Sequence, residues 1–258
     1  ERQEAVDHIQ EILEVTDAVM VARGDLGVQV AIEDIPVIQK KLITQANLMN
    51  KPVITATQML VSMTDHVRPT RSEVTDVANA ILDGTDATML SEETAMGQYP
   101  IEATRMMTNI AVSTERQYRD FYHHSTLSDY LRHSFRQKKP TVEDVISMNA
   151  IESSQILRAK YILTPTESGN TTRRISRFKP NCWILSFTVE PKTAQFLAFS
   201  YGVVCYLMSG KNQQNHKQIM NILKQQNLIQ PGDQLILTEG IARREKGGTD
   251  SFRIISVH

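Results

Sequence analysis

Three places in this 258-residue sequence end an apolar, β-rich run on polar residues that could meet a ligand. Arg23, Gly24, Asp25, Leu26 and Gly27 follow Ala18 to Ala22. Two glycines let the backbone come close to an anion, and the carboxylate between them is a hard oxygen ligand for a divalent cation. Taken alone, Gly-Asp-x-Gly is more often a turn than a metal site. Thr57 and Gln58 follow Val53 to Ala56, and Ser91, Glu92, Glu93 and Thr94 follow Ala87 to Leu90. Every run thus closes on polar side chains and not on the Gly-Asn turns of a pure scaffold. In α/β architectures ligands gather at such strand ends, where helix N-termini also point unsatisfied N–H groups. A fourth candidate, Thr166, Glu167, Ser168, Gly169, Asn170 and Thr171, follows Tyr161 to Thr164 and leads into a helical pattern. Its hydroxyls, flexible glycine and free amides suit a phosphate, and they equally suit an ordinary helix cap.

The elements that must position these residues follow from the hydrophobic spacing. Strand-like runs Ala18 to Ala22, Val53 to Ala56 and Ala87 to Leu90 alternate with helical patterns, the signature of βα units and a parallel sheet. Ile35, Ile38, Leu42 and Met49 mark one helix, and Val74, Val77, Ala78, Ile81 and Leu82 a second. Thr70 and Glu73 have the spacing of a capping box, which starts that second helix at Arg71. A third helix, Ile101 to about Arg116, follows Pro100, and the polar, His-rich stretch after it reads as a connector. After Pro140 a cap from Thr141 to Asp144 opens a second pattern: helix Val142 to Leu157, strand Tyr161 to Thr164, helix Thr172 to Arg177, strand Trp183 to Phe187 and helix Lys192 to Ser200. Strand Val203 to Leu207, helix His216 to Gln226, strand Gln234 to Thr238 and a last strand, Phe252 to Val257, complete a five-stranded α/β domain. The expected division is 1–118, a connector over 119–140, and 141–258.

Composition narrows the function classes. The sequence is 41% hydrophobic and 22% charged with a formal charge of −1, so no nucleic-acid or membrane partner is implied by charge. The two cysteines, Cys182 and Cys205, lie inside apolar runs, which predicts reduced, buried thiols and a cytoplasmic protein without disulfides. No apolar run approaches the roughly 18 residues of a spanning helix.

Four motifs carry a family resemblance: VARGDLG (Val21 to Gly27), ATQM (Ala56 to Met59), RPTRSEVTDVANAILDG (Arg68 to Gly84) and MLSEETAMG (Met89 to Gly97). In this order and spacing they resemble the C-terminal half of a pyruvate kinase. The resemblance implies a partial (β/α)8 TIM barrel, its last three βα units, followed by a separate five-stranded regulatory domain. The implied chemistry is phosphoryl transfer from phosphoenolpyruvate to ADP, giving pyruvate and ATP in glycolysis, with Mg2+ or Mn2+ and K+ as cofactors and the K+ site in the part not present. By the same resemblance Glu1 and Asp25 hold the divalent metal, Glu1 falling 24 residues before Asp25 as in the family, so that the chain begins on the metal-binding Glu. The Gly24 and Asp25 amides would cap the substrate carboxylate at a short helix, and Thr57 would lie beside the reacting carbon and help deliver a proton. Ser91 and Glu93 would be structural or relay residues, and Arg71 would reach across a subunit interface in a homo-oligomer, the family tetramer. The sequence departs from the family at Glu92, where many relatives have glycine, which puts any positive-φ backbone there in doubt. In the second domain Thr166, Ser168, Gly169, Asn170 and Thr171 match the loop that binds the phosphate of an allosteric sugar phosphate or nucleotide. Gly240 to Thr249 (GIARREKGGT) resembles the loop closing over such effectors, with Arg243, Arg244 and Lys246 toward a second phosphate; a solvated basic loop is the alternative. The chain alone is expected to be inactive. The rival reading is a non-catalytic chain that binds a phosphorylated effector or a partner subunit.

Overall fold

The computed structural model describes residues 2–121, 127, 131, 140–209, 216–240 and 248–258, with only the backbone course of 118–121. It divides into two compact units, 1–125 and 126–258. Most of the expected connector, 119–140, lies outside the described residues.

In the first unit, helices α1 (Gln3–Asp7) and α2 (Ile9–Val15), which the sequence patterns do not announce, precede β1 (Val19–Ala22). Then come α3 (Arg23–Gln29), α4 (Ile35–Leu48), β2 (Val53–Ala56), α5 (Arg71–Leu82), β3 (Ala87–Met89), α6 (Glu92–Ala95) and α7 (Pro100–Phe121). The three strands form one parallel sheet in the order β1-β2-β3, with Val21 paired to Thr55 and Thr55 to Thr88. Buried Ile9, Leu13, Val21, Leu42, Ile43, Ala46 and Val53 pack α2 and α4 onto β1 and β2. A second cluster, Met59, Leu60, Met63, Val77, Ala80, Ala103, Met107 and Ile110, joins the loop after β2 to α5 and α7. The capping box at α5 is present: the Thr70 hydroxyl accepts from the Glu73 amide while the Glu73 carboxylate accepts from the Thr70 amide. α7 runs past the expected Arg116 because no glycine or proline interrupts residues 111–121.

The second unit contains α8 (Val142–Ile156), β4 (Tyr161–Pro165), α9 (Asn170–Ser176), β5 (Trp183–Thr188), α10 (Pro191–Leu197), β6 (Val203–Leu207), α11 (His216–Gln225), β7 (Gln234–Glu239) and β8 (Ser251–Ser256). Its sheet has the order β6-β5-β4-β7-β8, parallel except for the antiparallel β7–β8 pair. α9 starts two residues before the expected Thr172, since Gly169 is left-handed (φ 84°) and turns the chain directly into the helix. α10 stops at Leu197, three residues before the expected Ser200, where a turn leads to left-handed Gly202. The core gathers Leu163, Leu185, Phe187, Met208, Ile219, Leu223, Ile229, Leu235, Leu237 and Val257. Cys182 and Cys205 form no disulfide but are half-buried, not buried as expected, since Cys205 lies on the edge strand β6 and Cys182 in the turn before β5. Burial nevertheless pushes the Cys205 thiol up, against a hydrogen bond with Ser186. Among the described residues no helix is long and apolar enough to cross a membrane.

Candidate functional site

In the first unit, the loops after the three strands are tied to one another. α3 leaves β1 without a break, placing Arg23 and Asp25 in its first turn. Thr57 and Gln58, at the end of β2, are both left-handed, with φ of 63° and 55°. For residues with a Cβ this conformation costs roughly 1–2 kcal/mol each, so neighbouring structure must hold it. The Thr57 hydroxyl does so from one side: it donates to the Ala56 carbonyl (2.7 Å) and accepts from the Gly24 amide (2.9 Å). The Gly24 N–H that the resemblance assigns to a substrate carboxylate is therefore engaged by Thr57.

Arg23, which the sequence reading left without a role, holds the pair from the other side. Its guanidinium is buried and donates to the Thr57 carbonyl (2.8 Å), the Gln58 carbonyl (3.1 Å) and the Asp76 carboxylate (2.5 Å). Glu93 supplies the corresponding tie to β3. It is 1% exposed and accepts from the Leu60 amide (2.9 Å) and the Ser91 amide (2.8 Å), so its carboxylate is spent on the backbone of two loops. Glu92 lies within α6 and outside the positive-φ residues, so glutamate there imposes no left-handed strain. Glu73, the capping residue, also accepts from the Ser62 amide (2.7 Å) and hydroxyl (2.5 Å). Burial raises its pKa, but the bonds from Ser62 and Thr70 outweigh that and hold the carboxyl below its usual value.

Of the metal pair expected from the resemblance, Asp25 is exposed at the start of α3, and Glu1 lies outside the described residues. Among the described residues no group of three or more His, Cys, Asp or Glu side chains gathers into a metal cage. A hard cation that completes its shell from a ligand's oxygens needs only one or two protein carboxylates, and exposed Asp25 fits that role as one donor. Arg71 is exposed at the first position of α5.

In the second unit the loop before α9 is built around its hydroxyls. Buried Thr166 accepts from the Gly169 amide (2.9 Å), and buried Thr171 hydrogen-bonds the hydroxyl of Thr249, which precedes β8. A Cβ on Gly169 would come within 3.2 Å of Leu197 and 3.3 Å of Thr193, so the loop sits directly against α10. Thr193 also donates to the Glu167 carbonyl (2.7 Å). Ser168 and Asn170 are exposed. Thr166 and Thr171 thus spend their hydroxyls inside the unit, while Ser168 keeps its own at the surface, where it accepts from the Asn170 amide (3.5 Å). Arg243, Arg244 and Lys246 lie outside the described residues. Sequence reading also missed Asp144 at the start of α8, which pairs with Arg174 and with Arg177 (2.7 Å) and bonds the Thr141 hydroxyl (2.7 Å). Burial pushes the Asp144 carboxyl up, but Thr141, Arg177 and Arg174 together hold it below its usual value. The only sequence signal for this cluster was the Thr141 to Asp144 cap.

Comparison with known proteins covers both units. The pyruvate kinase barrel domain matches residues 1–104, and the pyruvate kinase alpha/beta domain matches 144–255. The chain is 48% identical over 257 residues to a pyruvate kinase of Thermococcus litoralis, covering 100% of this chain and 53% of that protein. It is 42% identical over 261 residues to a pyruvate kinase of Bacillus licheniformis, covering 100% of this chain and 43% of that one. A crystal structure of a pyruvate kinase from Cryptosporidium parvum superposes with a TM-score of 0.84 at 36% identity, over 99% of this chain and 50% of that chain. The chain therefore spans about half the length of the curated relatives it matches. Two domain matches in the family's order, on a sheet whose strand ends carry the family's motifs, make this chain a member of the pyruvate kinase family.

Proposed function

We propose that the chain supplies part of the active site of a pyruvate kinase that transfers a phosphoryl group from phosphoenolpyruvate to ADP, and that 1–258 alone is inactive. The observation that supports this most is the cross-tied rim bearing Gly24, Asp25 and Thr57 in a member of that family. Such transfer is mostly positioning and charge neutralisation. An incoming carboxylate would take the Gly24 N–H from Thr57 and accept from the Asp25 amide. The Thr57 hydroxyl, released from that contact, would turn from the Ala56 carbonyl toward the substrate. The bond from the enol oxygen to phosphorus breaks as the bond to ADP forms, and the enolate carbon gains a proton, with Thr57 helping its delivery. Asp25, with Glu1, would hold Mg2+ or Mn2+, which when bound neutralises the charge of the carboxylate and phosphate oxygens. K+ would be bound by residues beyond these. Glu93, with both oxygens on backbone amides, would act as a brace and not as a ligand.

Arg71 would reach a second copy in a homo-oligomer, and the protein would be cytoplasmic. In the second unit the Thr166 to Thr171 loop would bind the phosphate of an allosteric effector, with Ser168 and Asn170 at its exposed face and Arg243, Arg244 and Lys246 toward a second phosphate. A non-catalytic reading, effector binding alone, draws on the second unit's self-contained five-stranded sheet. A lactate-coupled assay separates the two. The expected result is no turnover by 1–258 and measurable turnover once the missing barrel half is supplied in trans. Turnover by the chain alone near that of a whole enzyme sinks the claim of inactivity, and no turnover in either case favours effector binding alone.

A further inference from the structure

The guanidinium of Arg23 is buried between the first two strand-end loops and spends both terminal nitrogens on other residues. Nη2 donates to the Thr57 and Gln58 carbonyls and also reaches the Met59 sulfur (2.8 Å). Nη1 donates to the Asp76 carboxylate and, at 3.5 Å, to Gln39. Gln39 is itself oriented by donating to Asp83 (2.9 Å), whose other oxygen pairs with Lys40. One planar fork therefore spans the start of α3, the end of β2 and the side of α5.

We propose that Arg23, steadied by Asp76, is a positioning residue for the reaction: it fixes the left-handed Thr57–Gln58 pair, and so sets where the Thr57 hydroxyl stands relative to the Gly24 amide. This rests on the phosphoryl-transfer reading above. Two consecutive left-handed residues with side chains relax to commoner backbone angles unless they are over-determined. Here both of their carbonyls converge on a single nitrogen. An ammonium group could carry the charge but has no rigid fork with which to hold two carbonyls and a carboxylate at once. The buried position also explains why the residue cannot act as a ligand. It works on Thr57, which the proposed reaction sets beside the substrate.

Hydrogen exchange followed by mass spectrometry on the 258-residue chain at micromolar concentration tests the clamp directly. Arg23→Lys should speed exchange of the Gly24 amide at least tenfold, matching Thr57→Val, which removes its acceptor. The Leu60 amide, held separately by Glu93, should change less than threefold. Asp76→Asn, at a half-exposed position, should give an intermediate rise at Gly24. Unchanged Gly24 exchange in Arg23→Lys overturns the proposal, as does a uniform rise at Gly24, Leu60 and β2 in both Arg23→Lys and Asp76→Asn, which is the signature of a merely structural residue. In the protein reconstituted with the missing barrel half, Arg23→Lys should lower kcat about 10- to 100-fold with KM for phosphoenolpyruvate within threefold, as a misplaced catalytic group does. An unchanged kcat overturns the positioning role. If the reconstituted parent protein itself shows no turnover, the phosphoryl-transfer reading fails, while the exchange result still decides whether the clamp exists.

Discussion

In the second unit β4 lies between two parallel neighbours and buries Ile162 and Leu163 completely; in the first, β3 is an edge strand with all three of its residues partly exposed. β1, the other edge, leaves Met20 46% exposed. The same alternation of strand and helix has thus produced one sheet that closes over its own core and another that adds, to its two apolar clusters, polar ties between the loops at its strand ends. Arg23, Glu73 and Glu93 fix loop geometry in the first unit, whereas Leu163, Phe187 and Leu237 pack the core of the second. Apolar packing is non-directional and stabilises a unit as a whole, whereas buried hydrogen bonds fix geometry and are costly to leave unmade.

The largest expected effect follows from separating the two. Residues 141–258 expressed alone should unfold in one cooperative denaturant transition. Residues 1–125 alone should scatter light or associate, because open parallel edges present unpaired N–H and C=O groups to other chains. A monodisperse 1–125 with cooperative unfolding would erase the contrast.

The next effect is in how damage spreads. Leu163→Ala should cost about 2–5 kcal/mol by opening a cavity, and should raise hydrogen exchange across the whole second sheet. Glu93→Ala strands the buried Leu60 amide, at about 1–3 kcal/mol, and the part-buried Ser91 amide at less, and should open chiefly the loops at Leu60 and Ser91. Global loosening from Glu93→Ala, or a local effect from Leu163→Ala, would reverse the assignment of roles.

The contrast also bears on what the sequence could reveal. Strand positions and the α5 start were legible because short apolar, β-rich runs and a capping box are local signals; Val53 to Ala56 and Val203 to Leu207 match residue for residue. Gly24, Asp25 and Thr57 were legible as candidates because they lie at strand ends and within the family's motifs. The ties were not. Arg23 and Asp76 are 53 residues apart, and Glu93 reaches Leu60 across 33, so nothing in local spacing pairs them. Nor could pattern alone tell that Thr166 and Thr171 turn their hydroxyls inward while Ser168 does not. That depends on Thr249, which is 78 residues from Thr171.

Acid should distinguish the units through different partners. Glu73 and Asp144 both have folded-state pKa values below their ordinary ones, so the stability each contributes is complete above about 4.5 and 3.8 respectively and is lost as pH falls through the lower folded values. Glu73 is held by neutral donors, whereas Asp144 is held partly by Arg174 and Arg177. Added salt should therefore blunt the acid dependence of the second unit more than that of the first. Asp144→Asn should remove that dependence and cost about 1.5–3 kcal/mol near neutral pH, the range for hydrogen bonds to a charged group. Denaturant midpoints of parent and variant, compared between pH 3 and 7 at two salt concentrations, provide the check, and parallel curves for the two proteins would sink the assignment.

The smallest effects concern the effector loop, and they ask whether the unit with its own core also keeps a function of its own. If the loop before α9 binds phosphate, the exposed hydroxyl of Ser168 is a neutral donor worth about 0.5–1.5 kcal/mol, so Ser168→Ala should weaken binding by roughly three- to tenfold. Arg244→Ala should weaken it further and reduce its sensitivity to ionic strength, since that contact is charge-assisted. Thr171→Val should behave differently. Its hydroxyl is already bonded to Thr249, so the substitution should lower the unit's stability while leaving affinity for a phosphate nearly unchanged. Calorimetry on 141–258 with fructose 1,6-bisphosphate, ribose 5-phosphate and AMP reads all three variants in one series. A neutral Asn170 supplies no charge for a bisphosphate, so a second phosphate would have to be met by Arg243, Arg244 or Lys246. Heat absent for every ligand, or equal losses from Thr171→Val and Ser168→Ala, would return the loop to the status of a helix cap braced against α10.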